Sequence, residues 1–337
     1  GRLAAEQAPA LFRAAPGRQA RQAGPGDVSV VRQRAVSVDL APVGGAWGAL
    51  PAADRLRLTL FDDVEVVATR QRVERSRHGA VWIGTVDGVP LSQVILAVVG
   101  GELTGSITMP GRSFDVQPDG GGLHLTREID DRLLPGDGEV EADHGTPEEG
   151  HAAASAGDDP GFVDVLVAYT TEVKTKRGGE NATLSMIDAA VAAANQAYQN
   201  SQVGLRLRLV GTAEVDYAGA GDLGPDLAAL RSSSDGRMDE LHGLRNTLGA
   251  DLVALVVETD PKYCGIAYVI TRPSAASAAS GFSVVKRTCM TGYSFAHELG
   301  HNMGLQHDWY VNAAPGAYRY SHGHIDLDGG FRTIMAY

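Results

Sequence analysis

The stretch that decides how this chain folds reads His297-Glu298-Leu299-Gly300-His301-Asn302-Met303-Gly304-Leu305-Gln306-His307-Asp308. Its pattern is H-E-x-x-H-x-x-G-x-x-H. Two histidines four residues apart project from the same face of a helix, so His297 and His301 can both reach one ion. A third histidine, His307, completes a set of three neutral imidazoles. Such a set binds zinc and leaves a fourth position open, which is the arrangement of a catalytic site.

The remaining fixed letters of the motif also have physical roles. Glu298 follows the first ligand and can accept a proton from an attacking water. Gly304 is expected to end the helix, because glycine accepts the positive φ that turns a chain sharply. His307 can then return to the same ion. Two other interpretations remain open, a helix whose histidines only pack and a zinc site without catalysis, although the intact Glu298 argues against the second.

Composition excludes several classes of protein. The 337 residues are enough for two domains with cores. A formal net charge of −12 argues against nucleic acid or anionic membrane as a partner. No apolar run approaches the roughly 20 residues of a membrane-spanning helix.

The pattern along the chain predicts four segments. Residues 1–27 are rich in Ala, Arg, Gln, Pro and Gly without periodicity, which indicates a flexible N-terminal segment. Residues 28–132 contain short alternating runs separated by turn pairs, which predicts an antiparallel all-β domain. Its lone histidines, His78 and His124, are expected at the surface. Residues 133–160 are acidic and contain no Lys or Arg, which is typical of an exposed, flexible linker that proteases can cut.

Residues 161–337 change to an α/β pattern. Apolar residues spaced three and four apart predict two long helices, at about 184–198 and at about 238–248, the second closed by Gly249. Buried strands are predicted at 162–168 and 252–257, an amphipathic one at 205–209, and shorter ones at 264–270 and 282–285. The zinc helix should run from about 293 to 303. The expected fold class is therefore α+β, a twisted mixed sheet with two long helices and a zinc helix, preceded by an all-β domain.

The chain has two cysteines, Cys264 and Cys289. In a secreted protein they would pair and close a loop of about 25 residues. Two buried thiols, or a partner cysteine beyond Tyr337, are the alternatives.

The zinc motif, followed downstream by Thr333-Ile334-Met335-Ala336-Tyr337, resembles the metzincin proteases. The resemblance spans about residues 162–337. The runs Val163-Asp164-Val165-Leu166-Val167, Tyr263-Cys264-Gly265-Ile266-Ala267-Tyr268 and Ser294-Phe295-Ala296-His297-Glu298 look most like the bacterial peptidyl-Asp metalloendopeptidases, adamalysin/reprolysin-like zincins. The all-β domain then looks like their propeptide, and the catalytic domain is expected to continue beyond Tyr337.

The resemblance implies roles for further residues. Met335 would form an apolar floor under one catalytic Zn²⁺, and Asp308 is the residue typical of the reprolysin group. Tyr337 would ligate the metal or donate to the oxyanion. The edge strand that binds an extended substrate would consist of Gly265, Ile266, Ala267 and Tyr268. A preference for Asp after the scissile bond needs a cation, for which Arg332 and Arg319 are the candidates. The residues make no prediction about Ca²⁺.

The expected function is that of a secreted zinc endopeptidase in proenzyme form, acting on protein or peptide substrates and inhibited by its own propeptide. The alternatives are a broad-specificity metzincin and a zinc-stabilised, non-catalytic binding module. No cysteine precedes Cys264, so an oxygen, an imidazole or steric occupation must block the zinc site. The candidate blocking groups are Asp143, His144 and His151, and self-cleavage is expected near Asp158 and Asp159.

Overall fold

The computed structural model describes residues 8–15, 28–45, 52–142, 161–258 and 262–337. The chain divides into two compact units. The first comprises Gly1–Leu134 with Lys174–Ala193, and the second comprises Pro135–Val173 with Ala194–Tyr337. The division therefore differs from the expected boundaries, because part of the first long helix groups with the N-terminal residues.

The first unit is built on an antiparallel sheet of nine strands, as the alternating pattern predicts. The sheet order is β1-β2-β9-β8-β7-β6-β5-β4-β3. The strands are β1 (Phe12–Ala14), β2 (Val30–Val38), β3 (Arg55–Phe61), β4 (Val64–Arg75), β5 (Ala80–Val86), β6 (Gln93–Val99), β7 (Glu102–Met109), β8 (Arg112–Gly120) and β9 (Leu123–Ile129).

The two ends of this sheet meet. Leu11 N donates to Arg57 O at 3.0 Å, and Arg57 N donates to Pro9 O at 2.9 Å, so the start of β1 bonds to β3 at the far end. Closing a sheet removes the exposed edges at which chains aggregate. The flexible segment expected over residues 1–27 is therefore wrong for Phe12–Ala14. Leu11 and Phe12 are buried in the core of the sheet, and this apolar burial offsets the entropy of ordering them.

Two helices, α1 (Thr171–Arg177) and α2 (Glu180–Asn200), follow the strand Phe162–Thr170 of the second unit. Residues 174–193 belong to the first unit, where buried polar pairs hold them against the sheet. Thr104 Oγ1 lies 2.8 Å from Ser185 Oγ, and His78 Nδ1 lies 2.9 Å from the buried Asp188 carboxylate. The expectation of a surface position was wrong for His124, which is 3% exposed, whereas His78 is half-buried.

The second unit is built on a mixed sheet of six strands in the order β10-β14-β15-β13-β11-β12. All neighbours are parallel except β14 and β15, which are antiparallel. The strands are β10 (Gly138–Glu141), β11 (Phe162–Thr170), β12 (Arg206–Val215), β13 (Leu252–Val257), β14 (Gly265–Val269) and β15 (Phe282–Lys286), with a separate pair, β16 (Ile325–Asp326) and β17 (Phe331–Arg332).

The described part of the second unit contains three further α-helices: α3 (Leu223–Arg231), α4 (Glu240–Leu248) and α5 (Ser294–Asn302). The residue Gly249 closes α4 with φ 65°, as predicted, although α4 has only nine residues and is not a long helix. Pairing of Cys264 with Cys289 is confirmed, and the disulfide joins the start of β14 to the turn before α5. Among the described helices, none combines the length and apolar character needed to cross a membrane.

Strand β10 corrects the prediction of a flexible linker over residues 133–160. Gly138–Glu141 pairs in parallel with Ile266–Val269, so β14 is not the edge of the sheet. Hydrogen bonds to β14 satisfy the backbone N–H and C=O groups of this polar segment, which has little apolar surface to bury. The other expected features of the linker, including Asp143, His144, His151, Asp158 and Asp159, lie outside the described residues.

Candidate active site

Helix α5 carries the first two histidines of the motif and is buried along its whole length. The side chain of Asn302 anchors its end, because Nδ2 donates to Tyr268 O and Phe282 O at 3.0 Å each. Ile270 N also donates to His301 O at 3.1 Å. The helix is therefore tied to the ends of β14 and β15, which fixes the direction in which its histidines project.

The three histidines converge through their Nε2 atoms. Nε2 of His297 lies 3.1 Å from that of His301 and 3.0 Å from that of His307, and the third distance is 3.1 Å. Nδ1 of His297 lies 2.8 Å from Ile334 O, and Nδ1 of His301 lies 2.9 Å from Leu305 O. A carbonyl oxygen can only accept, so each Nδ1 carries the hydrogen and each Nε2 presents a lone pair.

This arrangement fits zinc. Lone pairs that face one another at 3.0–3.1 Å repel unless a cation lies between them. Tetrahedral zinc at about 2.0–2.1 Å from each nitrogen places its ligands about 3.3 Å apart. Burial lowers the pKa of His297 and His307 to about 4, and lowers the pKa of His301 well below its usual value. The imidazoles are therefore neutral at pH 7, which is the form that binds metal.

The turn at Gly304 returns the chain to the cluster. Its φ is +91°, and Gly304 N donates to His301 O at 2.9 Å. A Cβ at this position would lie 2.5 Å from the Cβ of Ala317, so conformation and space both require glycine. Past the turn, His307 N donates to the side-chain oxygen of Gln306 at 2.7 Å, which orients the third histidine.

Asp308 joins the third histidine to the C-terminal turn. Its Oδ1 accepts from Tyr310 N at 2.9 Å and from Val311 N at 3.3 Å, and its Oδ2 accepts from Tyr337 N at 3.1 Å. Burial opposes the charge on this carboxylate, but the backbone N–H groups outweigh it and lower the pKa of Asp308. Asp308 therefore holds the loop after His307 and the turn before Tyr337 in one arrangement.

Met335 and Tyr337 lie beside the histidines. Met335 is buried against α5, where a Cβ at Gly300 would meet its Sδ at 2.6 Å. The Tyr337 ring centroid lies 5.5 Å from that of His297 and 5.0 Å from that of His307. The apolar sulfur and the aromatic ring therefore confine the cluster on two sides.

Glu298 is fully buried under β14. A Cβ at Gly265 would lie 2.5 Å from Glu298 Oε1, so the glycine makes room for the carboxylate. Burial raises the pKa of Glu298 well above its usual value, and the neighbouring Asp137 and Glu139 carboxylates raise it further. A carboxyl group with a raised pKa beside a metal-ligand set can take up and return a proton.

Comparison with known proteins agrees with this geometry. Residues 160–337 match the Metallo-peptidase family M12B Reprolysin-like family. The chain belongs to this family. A peptidyl-Asp metalloendopeptidase of Xanthomonas campestris pv. campestris is 34% identical over 310 residues, which cover 86% of this chain and 72% of that protein. The protein of the same name from Stenotrophomonas maltophilia K279a is 35% identical, covering 81% of this chain and 69% of that protein.

Among solved structures, metalloproteinase-II from Bacteroides fragilis aligns with a TM-score of 0.45 and 13% identity, covering 76% of this chain and 81% of that one. Family membership itself confirms the expected enzyme class, a zinc metalloendopeptidase.

In this M12B metallopeptidase, two acidic residues near the histidines were not predicted. An oxygen of Asp137, a nitrogen of His297 and an oxygen of Glu298 all lie within 4.8 Å of one another. Glu139 Oε2 lies 3.5 Å from His307 Nδ1. The signal in the sequence was weak, because both acids look like ordinary members of an acidic linker. The glycines on either side of Asp137 are the one local clue to a close backbone approach.

The two candidate arginines differ in position. The Arg332 guanidinium lies 5.7 Å from the Tyr337 ring centroid, and its Nη1 donates to Ala336 O. Arg319 is exposed in the preceding loop. The same stretch also contains four potential metal ligands, His322, His324, Asp326 and Asp328. Among the described residues, these four form no three-ligand group, and His322 instead stacks on Trp309 with ring centroids 3.6 Å apart.

Proposed function

We propose that this metallopeptidase is a secreted endopeptidase in proenzyme form, that Glu298 is its general base, and that it prefers Asp after the scissile bond. In this proposal residues 28–132 are the propeptide domain, residues 133–160 connect it, and residues 161–337 are catalytic. The observation that carries the catalytic part is the buried Glu298 carboxylate next to three converging imidazoles.

The chemistry follows from these groups. When bound by His297, His301 and His307, zinc supplies a Lewis acid that polarises the scissile carbonyl and makes water acidic enough to attack at neutral pH. Glu298 accepts one proton from the attacking water as its oxygen bonds to the carbonyl carbon. The same carboxyl group returns the proton to the amine nitrogen as the C–N bond breaks, so protons and bonds balance.

Tyr337 has a supporting role in this proposal. Its ring packs against His297 and His307, and burial raises the pKa of its hydroxyl above the usual value. A phenol that keeps its proton can donate a hydrogen bond to the carbonyl oxygen as negative charge develops there.

The preference for Asp rests on Arg332 and on the names of the relatives. The family members that this chain resembles are named peptidyl-Asp metalloendopeptidases. Arg332 lies against Tyr337, whose ring borders the histidines, so its charge is close enough to bind a substrate carboxylate. Arg319, in the exposed loop, lacks this contact and is therefore the control for Arg332.

Peptide hydrolysis by Glu298→Gln tests the general base. With the prosegment removed, the variant should retain zinc and lose about 10²- to 10⁴-fold in kcat, because only the proton acceptor is gone. Zinc content measured by mass spectrometry separates loss of base from loss of metal. A variant that binds zinc and still cleaves at the wild-type rate would show that Glu298 is not the base.

A panel of otherwise identical peptides with Asp, Asn or Leu after the scissile bond tests specificity. Arg332→Gln should lower kcat/KM for the Asp peptide about tenfold or more relative to the Leu peptide, because a charged hydrogen bond contributes about 1.5–3 kcal/mol. Arg319→Gln should change neither ratio. Equal rates for the three peptides in the wild-type protein would instead favour the broad-specificity alternative.

Secretion is supported by the Cys264–Cys289 disulfide, since such bonds persist in oxidising compartments. Immunodetection of the protein in the cell pellet and in the culture medium tests this part. Accumulation of the mature enzyme only inside the cells would overturn it.

A further inference from the structure

The segment Gly136–Ala142 covers the β14 backbone that would bind an extended substrate. Cys264 N donates to Gly136 O at 2.9 Å, and Ala142 N donates to Val269 O at 3.2 Å. Between these bonds, strand β10 pairs with β14 from Gly138 opposite Ile266 to Glu141 opposite Val269. A peptide cannot add to β14 on this side while the segment remains in place.

Asp137 places a carboxylate at the metal cluster from this segment. Its Oδ1 is buried and has no hydrogen-bond partner among the described residues, while its backbone N–H donates to Tyr337 Oη at 2.5 Å. A Cβ at Gly138 would lie 3.3 Å from the Tyr263 ring, so a glycine there lets the segment pack closely against that ring. One carboxylate oxygen of Asp137 lies within 4.8 Å of a His297 nitrogen, and a buried carboxylate with an unpartnered oxygen beside a ligand set is suited to bind a cation.

Glu139 lies two residues further along the strand and projects toward the same cluster. Its Oε2 is 3.5 Å from Nδ1 of His307, and the Asn312 amide donates to its Oε1. Nδ1 is the nitrogen that faces away from the other two histidines, so Glu139 contacts a ligand and does not reach the ion.

We propose that the Asp137 carboxylate is the fourth zinc ligand of the uncut chain, and that Gly136–Ala142 is its autoinhibitory strand. The proposal rests on the proposed function, because it assigns the group that silences that site. Carboxylate oxygen completes a three-histidine zinc site, and its charge offsets part of the charge of the ion. Asp137 thereby excludes the attacking water, and the strand excludes the substrate backbone.

This arrangement has a consequence for activation. The segment precedes residues 143–160, so a cut within them leaves Asp137 hydrogen-bonded to the site. A nicked chain therefore remains inhibited until the strand dissociates or is itself cut.

The experiment compares full-length, uncut wild-type protein with Asp137→Asn and with Glu141→Gln, at an exposed carboxylate of the same strand, as the matched control. Each protein is loaded with Co²⁺ for visible spectroscopy and with Zn²⁺ for extraction by a chromogenic chelator. We expect Asp137→Asn to change the Co²⁺ d–d bands and to release Zn²⁺ about tenfold faster or more. Glu141→Gln should keep the wild-type Co²⁺ spectrum and Zn²⁺ release rate. Asp137→Ser provides a second variant if the asparagine protein does not fold.

Two results would overturn the inference: a Co²⁺ spectrum and Zn²⁺ release rate in Asp137→Asn that match wild type, or full peptidase activity in nicked wild-type protein from which the strand has not dissociated. The metal readouts do not depend on catalysis. A changed spectrum in a protein that never cleaves peptides, even without its prosegment, would refute the proposed function and leave the ligand assignment intact.

Discussion

Acidification should destabilise the first unit through His124. This residue of β9 is 3% exposed, and its Nε2 accepts a hydrogen bond from Leu103 N at 3.1 Å. Its Nδ1 is buried without a partner among the described residues. Protonating Nε2 would break the bond to Leu103 and leave a charge inside the unit. Burial, together with the nearby Arg177 charge, lowers the pKa of His124 to about 4.

The size and sign of the effect follow from linkage. In the unfolded chain the pKa of a histidine is about 6.5. Above that pH neither the folded nor the unfolded chain binds a proton at His124. The residue then makes its full contribution to the free energy of unfolding. As the pH falls from about 6.5 toward about 4, the unfolded chain takes up a proton that the folded chain refuses, so the free energy of unfolding decreases. At about 1.4 kcal/mol for each pH unit, the full loss is about 3 kcal/mol.

The assay is urea unfolding of wild type and His124→Gln at a series of pH values from 7.5 to about 4.5. Glutamine can accept from Leu103 N through its amide oxygen but does not titrate, so the difference between the two proteins isolates His124 from carboxylates and zinc ligands. Titration of the imidazole by NMR in the folded protein gives the pKa directly. Identical pH dependence in both proteins, or an imidazole pKa near 6.5, would refute the reasoning.

Three further predictions concern the second unit. Replacing both Cys264 and Cys289 by alanine removes a loop constraint of 25 residues and should lower the free energy of unfolding by about 3.5 kcal/mol in denaturant titrations; an unchanged midpoint would contradict this. Gly304→Ala should cost about 2 kcal/mol or more in thermal unfolding and reduce bound zinc, because φ is +91° and the new Cβ meets Ala317; retention of wild-type Tm and zinc content would show that the turn adapts. Asp308→Ala leaves three backbone N–H groups without their acceptor and should speed zinc extraction by a chelator, with an unaltered rate counting against its role.

Local sequence patterns predicted the helices and strands whose hydrophobic periodicity is visible within a few consecutive residues. Strand Leu252–Val257 and helix Ser294–Asn302 lie where apolar runs and the histidine spacing place them. The short helices α1 and α3 were not predicted. The position of His124 was predicted wrongly, because its burial depends on a partner from another strand, Leu103 N. No local pattern reveals such partners.

The order in which the strands pair could not be predicted from local sequence patterns either. Strand β10 contains two glutamates and one valine, which favours solvent over a sheet on composition alone. It forms because the unpaired backbone of β14 lies beside it in the folded molecule. The same pairing brings Asp137 to within a hydrogen bond of Tyr337, a residue 200 positions away in the chain.

By itself, the sequence determined the metal ligands of this protein: helical geometry places His297 and His301 on one face, the glycine at position 304 allows the turn that returns His307, and Glu298 follows the first ligand whatever the rest of the chain does. Only the tertiary structure decided which groups surround that set. Asp137 and Glu139 are far from the motif in the chain, and their approach depends on a sheet edge that exists only once the second unit has folded. Ligand spacing along a helix is a local property, whereas occupation of the open metal position depends on contacts between distant segments.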